Sequence, residues 1–193
     1  MLIKRGGKFM NFHEDNKSVT ESIDRLAFDV VKYMKEQGLT LSTAESCTGG
    51  LLSAAITSVP GASAVFEGGA VVYTESLKVK LLGVSQHTLD TYTVYSEETA
   101  VEMSRGVRKL TGSDFGIGIT GIAGPDGGTD EKPVGTVYVS ISGKDTADVV
   151  RNLKLYEKSE YGKLDRGKIR RLTVLGTLEL MSAILKGNDP ERI

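Results

Sequence analysis

Between Ser18 and Gln37 apolar residues return every three or four positions, so that Ile23, Leu26, Ala27, Val30, Val31 and Met34 fall on one stripe. That period predicts an amphipathic helix. Ser18 and Glu21 have the spacing of a capping box, and Gly38 is placed to end the helix. The chain then changes to short apolar runs broken by glycine. Leu39–Ala44 predicts a strand, Leu51–Ser58 a helix stopped by Pro60-Gly61, and Val65–Tyr73 a strand whose pair Gly68-Gly69 marks a bulge or a close approach. Ser76–Leu82 predicts a short helix closed by Gly83. Ser85–Tyr95 shows no clear period and reads as connecting structure.

In the second half, Ser96–Leu110 predicts a helix with Ser96 as cap, Glu97 and Glu98 in the first turn, and Arg108 and Lys109 near the end. Phe115–Thr120 predicts a strand and opens into the long loop that begins at Gly121. Gly135–Ile141 and Val149–Tyr156 predict two more strands, and Asp165–Leu185 the last helix. The turn between those last strands is too short for a parallel crossover, so they pair antiparallel. Interleaved strands and helices with one antiparallel step give an α/β fold, a single-domain layered sandwich with a mixed β-sheet flanked by helices. The domain is expected over 18–185, with a flexible extension over 1–17 and a flexible tail over 186–193. A chain of 193 residues is long enough to bury its own core.

Charge narrows the function. Lys plus Arg is 24 and Asp plus Glu is 25, a formal net charge of −1, which gives no overall attraction to nucleic acid or to an anionic membrane. One cysteine, Cys47, excludes an internal disulfide framework and a multi-cysteine metal site. His13 and His87 are the only histidines, which disfavours a histidine-rich zinc site. No apolar run approaches the roughly 18 residues of a membrane helix, and the front segment lacks the long apolar stretch of a signal peptide. The reading is a soluble cytoplasmic protein. Glycine is in excess, 23 of 193 residues, and clusters between apolar runs, where it suits loops that face a ligand.

Three segments carry candidate chemistry. Glu45-Ser46-Cys47-Thr48-Gly49-Gly50 lies between a strand and a helix, where open α/β sheets place ligands. Ser46 could attack a carbonyl there, with Cys47 as the rival nucleophile and backbone N–H groups as an oxyanion site. The plain alternative is a helix start, with Ser46 or Thr48 as a cap and Cys47 as a small buried apolar residue. Tyr73-Thr74-Glu75-Ser76-Leu77-Lys78 offers Lys78 as a base for Ser46 if its ammonium is desolvated, with Tyr73 as relay or orienting group. The alternative is a surface lysine and a packed tyrosine. His87, in a polar stretch, reads as a loop or cap residue. Thr120-Gly121-Ile122-Ala123-Gly124-Pro125-Asp126-Gly127-Gly128-Thr129 could present N–H groups and hydroxyls to an anion, or be a bare glycine-rich turn. It has neither the P-loop ending nor a dinucleotide fingerprint. Lys163, Arg166, Lys168, Arg170 and Arg171 read as a solvated basic face from which one arginine could reach an anionic group.

The segments AESCTGGLLSAAITSVPGASAVFEGGAVVYTESLKVKLLGV, TGIAGPDGG and KPVGTVYV, in that order, resemble the CinA carboxy-terminal domain family, whose members include stand-alone nicotinamide-nucleotide amidohydrolases. The likeness covers roughly residues 18–185. It implies hydrolysis of the carboxamide of nicotinamide mononucleotide to nicotinate mononucleotide and ammonia, without a cofactor or metal. It implies Ser46 as nucleophile, with Lys78 and Tyr73 matching the family's Y-S-N-x-x-K pattern, Thr120 matching TGIAGP, and Arg166 matching G-D-R-x-x-I-R. With these, Cys47, Thr48, Gly49, Gly50, Gly121 and Gly124 form the expected oxyanion and substrate-binding set. A small pyridine mononucleotide is the expected partner, and a homo-oligomer, most simply a dimer, the expected assembly. The sequence departs from the family at Thr74-Glu75, which stands for Ser-Asn, at Leu164, which stands for Gly, and at Thr93-Val94-Tyr95-Ser96, which stands for Gly-Ala-Val-Ser. The other readings are an amidase of different substrate range, and a non-catalytic nucleotide sensor linked to competence or damage responses.

Overall fold

In the computed structural model, which describes residues 12–144, 146–158, 161–162 and 164–188, five strands form one mixed sheet. Helix α1 (Phe12–Gln37) leads into β1 (Leu41–Glu45). A short crossover through α2 (Leu51–Thr57) reaches β2 (Phe66–Val71), parallel to β1 at the sheet edge. A long crossover through α3 (Glu75–Leu82), α4 (Gln86–Tyr92) and α5 (Glu97–Thr111) returns to β3 (Phe115–Gly121), parallel to β1 on its other side. Then β4 (Val137–Gly143) and β5 (Val149–Asn152) add antiparallel, and α6 (Arg166–Leu185) closes the chain. The spatial order is β2-β1-β3-β4-β5. This is the mixed-sheet α/β sandwich expected.

Strand alternation decides which residues meet which helices. Leu41, Ile117, Ile119, Val137, Val139 and Ile141 point to one face and join the apolar side of α1, α2 and α6 in the main core. The other face is nearly bare. Ala44 on β1, Gly116 and Gly118 on β3, and Ser140 on β4 let α5 sit close to the sheet. A methyl group at Gly118 would lie 2.3 Å from the carbonyl oxygen of Ala100. Backbone cannot yield there as a side chain can, so Gly118→Ala is expected to cost about 1–3 kcal/mol, read as a lower midpoint in urea at unchanged slope.

The differences from the sequence reading have local causes. Helix α1 begins at Phe12, not Ser18. No glycine or proline interrupts the chain between Phe12 and Gln37, so Ser18 lies inside the helix and caps nothing. The expected flexible extension is therefore helical from Phe12 on, and residues 1–11 lie outside the described residues. Helix α4 occupies the segment read as connecting structure. It is short and polar, burying only Thr88 and Leu89, and Ser85 Oγ caps it by accepting from Thr88 N–H. Strand β5 stops at Asn152 and the chain turns through Lys154, at φ 43°, into a single 3₁₀ turn over Leu155–Glu157. Asp165 caps α6, which runs to Leu185 as expected. Of the tail, Lys186–Asn188 folds back onto the last turn of α6, and 189–193 lie outside the described residues. No described helix is long and apolar enough to cross a membrane.

Candidate active site

Parallel pairing carries β1 and β2 to the same level, with Glu45 opposite Val71, and Val72 N–H extends the ladder to the Glu45 carbonyl. The chain therefore leaves both strands side by side. From β1 it enters the Ser46–Gly50 turn, and Ser46 N–H is held by the Ile119 carbonyl of β3 at 3.0 Å. From β2 it passes Tyr73 into α3, whose Thr74 cap accepts from Leu77 N–H. One turn into α3, Lys78 points back under the sheet end. Its side chain is fully buried; Nζ donates to the Val72 carbonyl at 2.7 Å and lies 3.1 Å from Ser46 Oγ.

Burial works against the ammonium form, and the Lys78 pKa falls from 10.5 to about 8 although the negative charge of Glu75 opposes the shift. Cys47, the rival nucleophile, moves the other way. Burial, with the nearby charge of Glu45, pushes its thiol up to about 12, so it stays protonated and packs in the main core. The structure thus separates two adjacent residues, one hydroxyl beside a buried amine and one thiol held protonated by burial.

Ser46 opens on a cleft of about 360 Å³ between the ends of β1 and β3, lined by Cys47, Tyr73, Glu75, Val94, Tyr95, Gly121–Gly124, Asp126 and Arg166. Arg166, at the start of α6, crosses its mouth. It donates to the Gly124 carbonyl at 2.6 Å and to the Tyr73 hydroxyl at 2.9 Å. Tyr73 is 58% exposed and its hydroxyl is engaged by Arg166, so it braces the cleft wall and makes no hydrogen bond to Lys78.

Several expected site residues act differently from their sequence reading. Thr120 is fully buried and its hydroxyl donates to the Val94 carbonyl at 2.7 Å, fixing the wall of the cleft from behind. The N–H groups of Gly49 and Gly50 already bond to the Ser46 carbonyl and to the Glu45 carboxylate. Among the described residues only the N–H groups of Cys47 and Thr48 in this turn have no oxygen acceptor. Thr48 itself is fully buried, and its hydroxyl has no hydrogen-bond partner among the described residues. Neither Ser46 nor Thr48 caps α2. Gly50, at φ 93°, is the cap position and offers no side chain, and the Glu45 carboxylate serves instead. His87 is exposed on α4, with its ring Nδ1 3.4 Å from the Thr91 hydroxyl. The basic segment is not a solvated face: Lys168 is buried and donates to the Tyr161 carbonyl, and Arg170 donates to the Thr48 carbonyl at 2.7 Å. Lys163 lies outside the described residues. Among the described residues no three His, Cys, Asp or Glu side chains are grouped to hold a metal ion.

The model of the CinA C-terminal domain matches residues 23–185, nearly the whole of this architecture. The chain belongs to the CinA C-terminal domain family. A putative competence-damage inducible protein of Acetivibrio thermocellus is 46% identical over 158 residues, 82% of this chain and 36% of that protein. A CinA-like protein of Thermotoga maritima is 44% identical over 160 residues, 83% of this chain and 37% of that one. The chain thus spans little more than a third of the length of these curated relatives. The crystal structure of the competence/damage inducible protein CihA from Agrobacterium tumefaciens superposes with a TM-score of 0.79 at 38% identity, covering 86% of this chain and 96% of that one. An Escherichia coli CinA superfamily structure superposes at 0.73 with 32% identity, covering 83% and 88%. In this CinA domain the residue that sequence reasoning passes over is Glu45. It enters there only as the first letter of a motif, yet it is a fully buried acid at a strand end, directly before Ser46.

Proposed function

We propose that this CinA domain hydrolyses the carboxamide of nicotinamide mononucleotide to nicotinate mononucleotide and ammonia through a nicotinoyl ester of Ser46. The observation that carries the proposal is the fully buried Lys78 amine, 3.1 Å from Ser46 Oγ, with a pKa of about 8. A neutral amine donating one N–H to the Val72 carbonyl keeps its lone pair for the serine proton. Ser46 Oγ then attacks the carboxamide carbon, and the N–H groups of Cys47 and Thr48 receive the developing oxyanion. Lys78, now an ammonium, returns the proton to the departing nitrogen, which leaves as ammonia. In the second half Lys78 takes a proton from water, hydroxide adds to the ester, and Ser46 Oγ leaves with that proton.

The remaining contacts fit a mononucleotide. The guanidinium of Arg166 stands at the cleft mouth, where a phosphate can take its donors from Gly124 and Tyr73. Glu75 and Asp126 line the same cleft and suit the positive pyridinium ring. Release of ammonia from nicotinamide mononucleotide by purified protein tests the reading. Nicotinamide, nicotinamide riboside and simple aliphatic amides serve as comparison substrates. Turnover of those amides without turnover of the nucleotide would favour an amidase of other range, and nucleotide binding without ammonia would favour a sensor. A charged hydrogen bond is worth about 1.5–3 kcal/mol, so Arg166→Ala is expected to raise KM for the nucleotide roughly 10- to 100-fold. The kcat should remain within about threefold, because Arg166 touches neither Ser46 nor Lys78.

A further inference from the structure

Glu45 is the last residue of β1, fully buried, and the chain passes from it directly into the nucleophile. Its carboxylate accepts from Gly50 N–H at 3.0 Å, Leu52 N–H at 3.1 Å, Ser53 N–H at 2.8 Å and the Ser53 hydroxyl at 2.6 Å. The Ser53 hydroxyl in turn lies 2.8 Å from that of Thr43, so the network reaches back into β1. From the other side, Arg170 of α6 donates to the Thr48 carbonyl. The turn is therefore pinned at both ends of its own sequence, Glu45 to Gly50, and once in its middle. A carboxylate with this many donors is held far more firmly than a hydroxyl cap.

The consequence lies in which groups remain. Gly49 and Gly50 take positive φ, 59° and 93°, and closing that turn directs their N–H groups inward to Ser46 and Glu45. If the carboxylate let go, the Gly50 N–H would need another acceptor and the turn could refold onto the sites beside Ser46. We propose that Glu45 is a positioning residue for the hydrolysis, holding the Ser46–Gly50 turn in the shape that leaves the Cys47 and Thr48 N–H groups without an oxygen acceptor next to the nucleophile. This rests on Ser46 being the nucleophile. Glu45 touches no reacting atom, and its effect passes entirely through the turn.

Glu45→Gln replaces one acceptor oxygen by an NH₂ group that must face backbone donors. The readouts are kcat and KM for nicotinamide mononucleotide, the melting midpoint, and the rate at which a fluorophosphonate labels Ser46, located by peptide mass spectrometry. In that labelling Ser46 Oγ displaces fluoride from phosphorus and uses the same oxyanion donors. Loss of well-placed oxyanion donors lowers kcat by on the order of 10²-fold, so kcat per folded molecule and the labelling rate are both expected to fall about 100-fold, with KM within threefold. A role confined to stability would lower the melting midpoint and leave both rates per folded molecule unchanged, and that result overturns the proposal. Ser53→Ala removes one of the four donors and keeps the charge. It is expected to lower the labelling rate about 3- to 10-fold, and if Glu45→Gln fails to fold, an unchanged rate in Ser53→Ala overturns the proposal. A wild-type protein that is not labelled at Ser46 overturns the nucleophile assignment and this proposal with it, whereas equal labelling of wild type and variants overturns this proposal alone.

Discussion

Ser46→Ala is expected to lower ammonia release from nicotinamide mononucleotide by on the order of 10⁴-fold or more, the usual scale for removing a serine nucleophile whose oxyanion donors remain. Only the Oγ atom is lost. Its only side-chain partner among the described residues is Lys78, and the backbone anchor of the turn, Ser46 N–H to the Ile119 carbonyl, is untouched. Circular dichroism and the melting midpoint should therefore match the wild type. Substrate binding should survive as well, because Arg166 and the Tyr95 side of the cleft are unchanged. Cys47 cannot replace the serine: with its thiol pushed up to about 12, fewer than about 1 in 10⁴ molecules carry a thiolate at neutral pH. Ammonia release by Ser46→Ala near the wild-type rate would mean that the hydrolysis runs through another group, and the ester intermediate would be lost with it.

How much of this is readable beforehand depends on where the information sits. Ser46 and Lys78 can be singled out because each follows an apolar strand run at a point where glycine or a cap breaks the pattern, and such ends are where α/β sheets expose chemistry. Their distance apart cannot be read, since it is set by the parallel register of Glu45 with Val71. The sheet itself is legible from alternation and glycine spacing. Helix α4 is not, because QHTLDTY buries too few side chains to show a period. The roles of Thr120, Arg166 and Arg170 depend on partners far away in sequence. Thr120 reaches Val94, Arg166 reaches Tyr73 and Gly124, and Arg170 reaches Thr48, 122 positions distant. A composition-based reading places such residues on the surface. Glu45 is the sharpest case: it reads as the first residue after a strand, and only the fold shows that Gly50 and the first turn of α2 bond to it.

Lys78→Met tests the proposed base apart from the scaffold. Methionine fills the same buried channel with an unbranched chain but carries no amine, so Ser46 loses its proton acceptor. Ammonia release is expected to fall by about 10³-fold or more, within the usual range for a positioned general base. The wild-type pH profile supplies the independent check. Below its pKa of about 8 the amine is protonated and cannot accept, so kcat/KM should rise about tenfold per pH unit up to pH 8 and level off above it. With the ordinary value of 10.5 the same group would be neutral in fewer than about 1 in 10³ molecules at pH 7; burial raises that to about 1 in 10. Stability moves in the same direction. Between about 8 and 10.5 the unfolded chain holds a proton on Lys78 that the folded chain has released, so unfolding free energy rises with pH across that window. The thioether that replaces the amine in Lys78→Met cannot titrate, and that part of the slope should vanish from the variant's denaturation curves. A variant that keeps full activity, or a wild-type profile that is flat from pH 6 to 8, would remove Lys78 from the reaction. A lost stability slope with activity intact would leave it as a buried amine that only packs.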